Sequence, residues 1–210
     1  MSLSGFEELL RHPSPGFRCY ESPDPKRTSS HIVGVKHDVA AGATDAALGG
    51  LHGAGADQFV EFYRRHDGVR LFAKLHSDDA GIAFFPLSDW EAATDELRKG
   101  WLSDLESETA FPAASGEWWV FGESPRSGNV FVWFTTGPNA GSIFYFDHDD
   151  FRAQGEPMAA DLSDFLGQIV RDPAEFLHRI GCFLRFMDPN TYVELIPSEY
   201  VPDVRAAQIA

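Results

Sequence analysis

The sequence predicts an α+β fold in a single domain, with antiparallel strands covered by amphipathic helices. Three observations predict it. Apolar residues switch between a period of about two and a period of about 3.6 along the chain, the signatures of half-buried strand and of helix. The strand-like runs are joined by short polar or glycine-bearing turns, which suit antiparallel pairing. No internal repeat and no long low-complexity linker divides the 210 residues, and a 43% hydrophobic content is ample for one packed core.

The elements follow in order. A short helix is expected at Phe6 to Arg11, after which Pro13, Pro15, Pro23 and Pro25 argue against regular structure. Residues 1–44 are therefore read as an N-terminal extension packed on the body. Beyond the glycine-rich passage GGLHGAGAD, Asp57 is placed to cap the helix DQFVEFYRRH, whose Phe59, Phe62 and Tyr63 share one face and which Gly68 stops. Val69 to His76 and Gly81 to Pro86 read as a hairpin across the polar turn SDDA. Ser88 and Glu91 have capping-box spacing, and Trp90, Thr94, Leu97, Trp101 and Leu105 recur at helical intervals, so a long amphipathic helix is expected from Asp89.

The period then changes. EWWVFG, NVFVWFTTG and SIFYFD are short aromatic and β-branched runs divided by ESPRSG and GPNAG, and they predict a three-stranded meander. Asp161 caps a helix in which Leu162, Phe165, Leu166, Ile169 and Val170 form one apolar stripe. Asp172, Pro173 and Glu175 open another helix with cap, first-turn proline and capping-box acid in order, and Gly181 can end it. The runs CFLRF and TYVELIP can add strands. Residues 45–181 make up the main domain and residues 182–210 a C-terminal extension. Trp90, Leu97, Trp101, Phe131, Phe144, Leu162, Phe165, Leu166 and Ile169 are expected to share one core.

Charge narrows the function. The chain carries 32 acidic against 17 basic side chains, a formal charge of −15 that repels nucleic acid and anionic membranes and suits a basic partner. The bias is uneven, with net −4 over residues 1–100 and net −11 over residues 101–210. Cys19 and Cys182 form neither a disulfide framework nor a zinc motif, and the N-terminal sequence lacks an apolar run of signal-peptide length. A cytoplasmic protein with no membrane or nucleic-acid partner is expected.

Acid clusters are the candidate sites. Asp147, His148, Asp149 and Asp150 stand where the last meander strand leaves the sheet, and His76, Asp78 and Asp79 stand at the turn of the earlier hairpin. Three carboxylates around an imidazole are costly to bury, so the first cluster is expected to be solvent-exposed and to act electrostatically as a partner-binding patch together with Asp78 and Asp79. The competing reading converges His76, Asp78, Asp147 and Asp149 on a divalent cation in a metal-dependent hydrolase. The pattern lacks the glycine and terminal glutamate of a calcium loop, and no nucleophile elbow or phosphate-loop Lys-Ser/Thr pair is present, so no catalytic residue, metal or cofactor is assigned. Trp118, Trp119, Phe131, Trp133, Phe144 and Phe146 alternate along strands, which makes most of them core rather than a ligand cage.

The helix QFVEFYRRHDG ending in Asp-Gly, the hairpin ending in Phe85-Pro86-Leu87, the strand GSIFYFDHDD and the helix ADLSDFLGQIV together resemble the SMI1/KNR4, or SUKH, superfamily over about residues 45–180. The GLHGAGAD entry to the first helix departs from the proline-led entry usual there. The resemblance implies a mixed, mainly antiparallel curved sheet backed by helices, and a protein-binding rather than catalytic role. Bacterial members are similar to immunity proteins that neutralise toxins, and fungal relatives regulate cell-wall synthesis. A basic toxin domain is the partner this implies, with a regulatory scaffold as the alternative.

Overall fold

The computed structural model describes residues 3–11, 16–20, 30–74, 80–101, 116–148, 156–182 and 192–196. In chain order the elements are α1 (Ser4–Arg11), β1 (Gly16–Tyr20), β2 (Ser30–Val39), α2 (Asp45–Leu48), α3 (Ala56–Tyr63), β3 (Val69–Lys74), β4 (Ile82–Phe84), α4 (Trp90–Glu96), β5 (Trp118–Ser124), β6 (Asn129–Phe134), β7 (Ile143–Phe146), α5 (Leu162–Arg171), α6 (Pro173–Arg179) and β8 (Tyr192–Ile196).

Hairpin and meander form as the alternation predicts, and every described pairing is antiparallel. β2 to β7 make a six-stranded run, and β1 and β8 continue it, giving the open order β7-β6-β5-β4-β3-β2-β1-β8. The N-terminal segment read as irregular thus contributes two strands, because its prolines all fall outside them. β2 is long enough to serve two neighbours: Ser30 to Gly34 pair with β1, and Val35 to Val39 pair with β3.

Side-chain alternation sorts the apolar residues into two layers. Phe121, Phe131, Trp133 and Ile143 face α1, α3, α5 and α6 and join Phe59, Phe62, Leu162, Phe165, Leu166 and Ile169 in the main core. Trp118, Val120, Val132, Phe134, Phe144 and Phe146 point to the other face with Leu97. The expected core residues are buried, but they do not share one layer, because Leu97 and Phe144 belong to the second cluster. The Trp101 side chain lies outside the described residues.

α4 fills a gap in the sheet. β4 pairs with β5 at Ala83↔Glu123 and Phe84↔Gly122, which leaves the first half of β5 without a strand neighbour on that side among the described residues. The Thr94 hydroxyl accepts the Val120 N–H at 2.9 Å, the Phe85 N–H donates to the Phe121 carbonyl at 2.9 Å, and Arg98 stacks over the Trp118 ring at 4.7 Å. Trp90 reaches into the helical layer and Leu97 into the opposite one. The Thr94 hydroxyl, with Arg98 donating to the Trp118 carbonyl at 3.5 Å, thus satisfies backbone groups that a strand would otherwise pair.

Local capping is partly as expected. Asp161 and Asp172 accept the N–H groups of Asp164 and Glu175 at 2.8 and 3.0 Å. Asp57 does not cap α3: left-handed Gly55 precedes the helix with no side-chain cap bond. Ser88 and Glu91 form no capping box, because a 3₁₀ turn over Leu87–Asp89 holds Ser88, whose hydroxyl donates to Asp89 instead. The long helix expected there closes its α-helical part at Glu96 and widens into a π turn over Leu97–Trp101.

Candidate functional site

The apolar run of β7 ends at Phe146, which is fully buried, and the chain emerges at Asp147 and His148. Both are half-buried rather than exposed. His148 is held by Asn129 at the start of β6: the Asn129 Oδ1 accepts the His148 backbone N–H at 3.1 Å and lies 2.6 Å from Nδ1. Asn129 Nδ2 donates to the Tyr145 hydroxyl at 2.9 Å, which donates to the Ile180 carbonyl at 2.7 Å. The β5–β6 turn closes on the ring from the side, where a Cβ on Gly128 would stand 3.3 Å from His148 Nδ1. Arg126, exposed on that turn, brings a cation to the acid-bearing end of the sheet. The imidazole is a tie between strand exit and turn.

His76, Asp78, Asp79, Asp149 and Asp150 lie outside the described residues, and with them the convergence a cation site would need. Among the described residues no group of three His, Cys, Asp or Glu side chains could hold a metal ion. No described helix is long and apolar enough to cross a membrane.

The glycine loop before α3 serves close packing. The Ala54 N–H donates to the Thr135 carbonyl at 3.0 Å, and Trp133 Nε1 donates back to the Ala54 carbonyl at 3.0 Å. A Cβ on Gly53 would lie 2.6 Å from the Thr135 Cβ, and its φ of 105° disfavours any side chain. The loop lies flat on the end of β6, where a phosphate cradle would have to stand open.

The Asp-Gly after α3 and Phe85-Pro86-Leu87 are two halves of one latch. Asp67 Oδ1 accepts the Leu87 N–H at 2.8 Å, and the Phe85 carbonyl accepts both the Tyr63 hydroxyl at 2.9 Å and the Trp90 indole at 3.2 Å. Burial pushes the Tyr63 phenol well above its ordinary range, so it stays a neutral donor. Gly68, at φ 110°, turns the chain into β3. These residues carry the fold, and all but Trp90 belong to two of the four strings on which the resemblance rests.

Two further buried polar relationships were not legible in sequence. At β2, His37 faces a bulge in β3, where Leu71 and Phe72 together oppose it between the pairs Lys36↔Ala73 and Asp38↔Arg70. The Phe72 N–H, at φ 55°, donates to His37 Nδ1 at 3.2 Å, which places the imidazole proton on Nε2, buried and without an acceptor among the described residues. On α1, Glu7 Oε1 lies 2.9 Å from His66 Nε2 and 3.5 Å from Arg65. No local motif signals either pairing, since the partners are 35 and 59 residues apart.

No curated protein and no solved structure gives a significant match to the chain. The sequence profile of the SMI1 / KNR4 family (SUKH-1) matches residues 57–168, from Asp57 in the first turn of α3 to Gln168 in α5. That span covers the latch, the hairpin and the whole meander, and by it the chain belongs to the SMI1/KNR4 family (SUKH-1).

Proposed function

We propose that this protein is a non-catalytic binding module, an immunity protein that neutralises a bacterial toxin by covering it with an acidic surface. The observation that carries the reading is the family match over residues 57–168, in a family whose bacterial members resemble immunity proteins. Charge supports it: net −15, with −11 in residues 101–210, would speed encounter with a basic toxin domain and favour it over acidic proteins. The patch proposed for contact comprises Asp78, Asp79, Asp147, His148, Asp149 and Asp150, with His148 supporting the chain and the carboxylates supplying the field. Co-expression with a toxin domain encoded beside this chain tests the reading. Growth should be restored, and the association rate of the purified pair should fall by roughly tenfold or more as salt rises through the physiological range. Replacing Asp147, Asp149 and Asp150 with Asn should flatten that salt response. Absence of rescue counts against the immunity role, and a salt-independent rate counts against the acidic surface.

A further inference from the structure

The helical layer contains a groove of about 260 Å³ between α1, α3 and α5. Its floor is apolar, made by Phe6, Leu162 and Leu166, and its rim by half-buried Leu3 and Val170. Gly167 lies in the groove wall, buried in the interior of α5. Glycine is disfavoured in a helix interior relative to alanine, and here, with no side chain, it contributes backbone to the groove wall. The volume is below that of sites for whole small molecules, and it suits one aliphatic or aromatic side chain.

Acidic side chains outnumber basic ones in α3 and α5, and Arg65 meets Glu61 at the groove. Gln58 Oε1 accepts the Ser163 N–H at 2.8 Å, so the first turns of α3 and α5 stand side by side at one end. These turns and the helix bodies carry Asp57, Glu61, Asp161 and Asp164, and no Lys or Arg occurs in α3 or in α5 before Arg171, although Asp164 turns away into a second hollow that it shares with Arg171 and Arg179. Of the four, Glu61 lines the groove and shares Arg65 with Glu7. Asp161 is held by its cap bond to the Asp164 N–H, and Glu61 by Arg65.

We propose that this groove receives an apolar anchor side chain from a partner protein, flanked in the partner by Lys or Arg. The proposal rests on the reading that the chain binds a protein, and it adds a desolvated anchor point that an acidic surface lacks. Anchors of this kind dominate interface energetics, whereas exposed charges mainly set encounter rate.

Blocked pentapeptides with Leu or Phe at the centre and Arg on either side are the probe, titrated into full-length protein while the methyl signals of Leu162, Leu166 and Val170 are followed by NMR. Dose-dependent shifts at these methyls are expected, at least about tenfold weaker for the same peptides with Glu flanks or a Ser centre. Gly167→Leu, which fills the hollow, should abolish them. If that variant loses its folded spectrum, Leu3→Trp fills the mouth from the rim and should do the same. Shifts that are absent, equal for Glu-flanked peptides, or retained in a folded filled variant overturn the proposal. So do shifts that appear on concentrating the protein alone, which would make a second copy the occupant. Asp147→Asn should leave the titration unchanged, so failure here and failure of growth rescue are separate results.

Discussion

One oxygen of Asn129 serves His148 twice, accepting its backbone N–H at 3.1 Å and lying 2.6 Å from its Nδ1. With Nδ2 donating to Tyr145, the amide orientation is fixed by its neighbours, and the strand exit, the β5–β6 turn and the end of α6 are joined through one buried side chain. Truncating it strands buried polar groups. Asn129→Ala should cost about 2 kcal/mol in urea unfolding and Tyr145→Phe about 1 kcal/mol. The double variant should lose less than the sum, since both remove the same bond. Strict additivity would show that the three parts are not linked.

His37 should make stability fall in mild acid. Burial holds its pKa down, from an ordinary 6.5 to about 4, against a smaller opposing effect of Asp38. The neutral form is the one the fold accommodates, because Nδ1 already faces the Phe72 N–H. Stability from this group is complete above pH 6.5 and is lost as pH falls from there toward 4, by up to about 3 kcal/mol. His37→Asn keeps an acceptor for Phe72 and removes the titration. The difference between the two proteins' stability curves should change across that window and stay flat above it, and a flat difference throughout would refute the assignment.

Glu7 should hold α1 on the helical layer. Burial alone would raise its pKa, but the hydrogen bond and charge of His66, with Arg65, outweigh it and keep the carboxyl below its ordinary 4.5. A depressed carboxyl contributes stability above that value and loses it as pH falls through the folded pKa. Phe6, buried against Phe62 and Phe84, supplies the apolar half of the same docking. Glu7→Gln should therefore speed amide exchange in α1 severalfold at neutral pH and have little effect once the carboxyl is protonated in the folded protein. Unchanged exchange in α1 at neutral pH would leave apolar packing by Phe6, Leu9 and Leu10 as what holds the helix.

Thr94 should matter more for its oxygen than for its volume. The residue is 1% exposed and its hydroxyl is the acceptor for Val120 at the open half of β5. Thr94→Val keeps the shape and leaves a buried N–H unpaired, at a cost of about 1–3 kcal/mol in thermal or denaturant unfolding. Thr94→Ser should recover most of the loss. Equal stability of the Val and Ser variants would mean that α4 is held by packing alone.

The sequence by itself determined the elements whose cause is local. β5, β6 and β7 follow from alternation between glycine turns, and the starts of α5 and α6 follow from Asp161, Asp172 and Pro173, whose side chains act within four residues of themselves. Family membership was legible for the same reason: Asp67-Gly68 and Phe85-Pro86-Leu87 are contiguous strings, even though they meet only in the fold. β2 was not legible, because SHIVGVKHDV has no clean alternation and is made a strand by ladders to β1 on one edge and β3 on the other. The division of the expected core into two layers, the gap that α4 fills, the half-buried tie at His148 and the groove beside Gly167 were likewise decided in three dimensions. Each depends on which backbone groups and side chains from distant parts of the chain are brought within hydrogen-bonding or van der Waals reach, and a one-dimensional pattern carries no record of that distance.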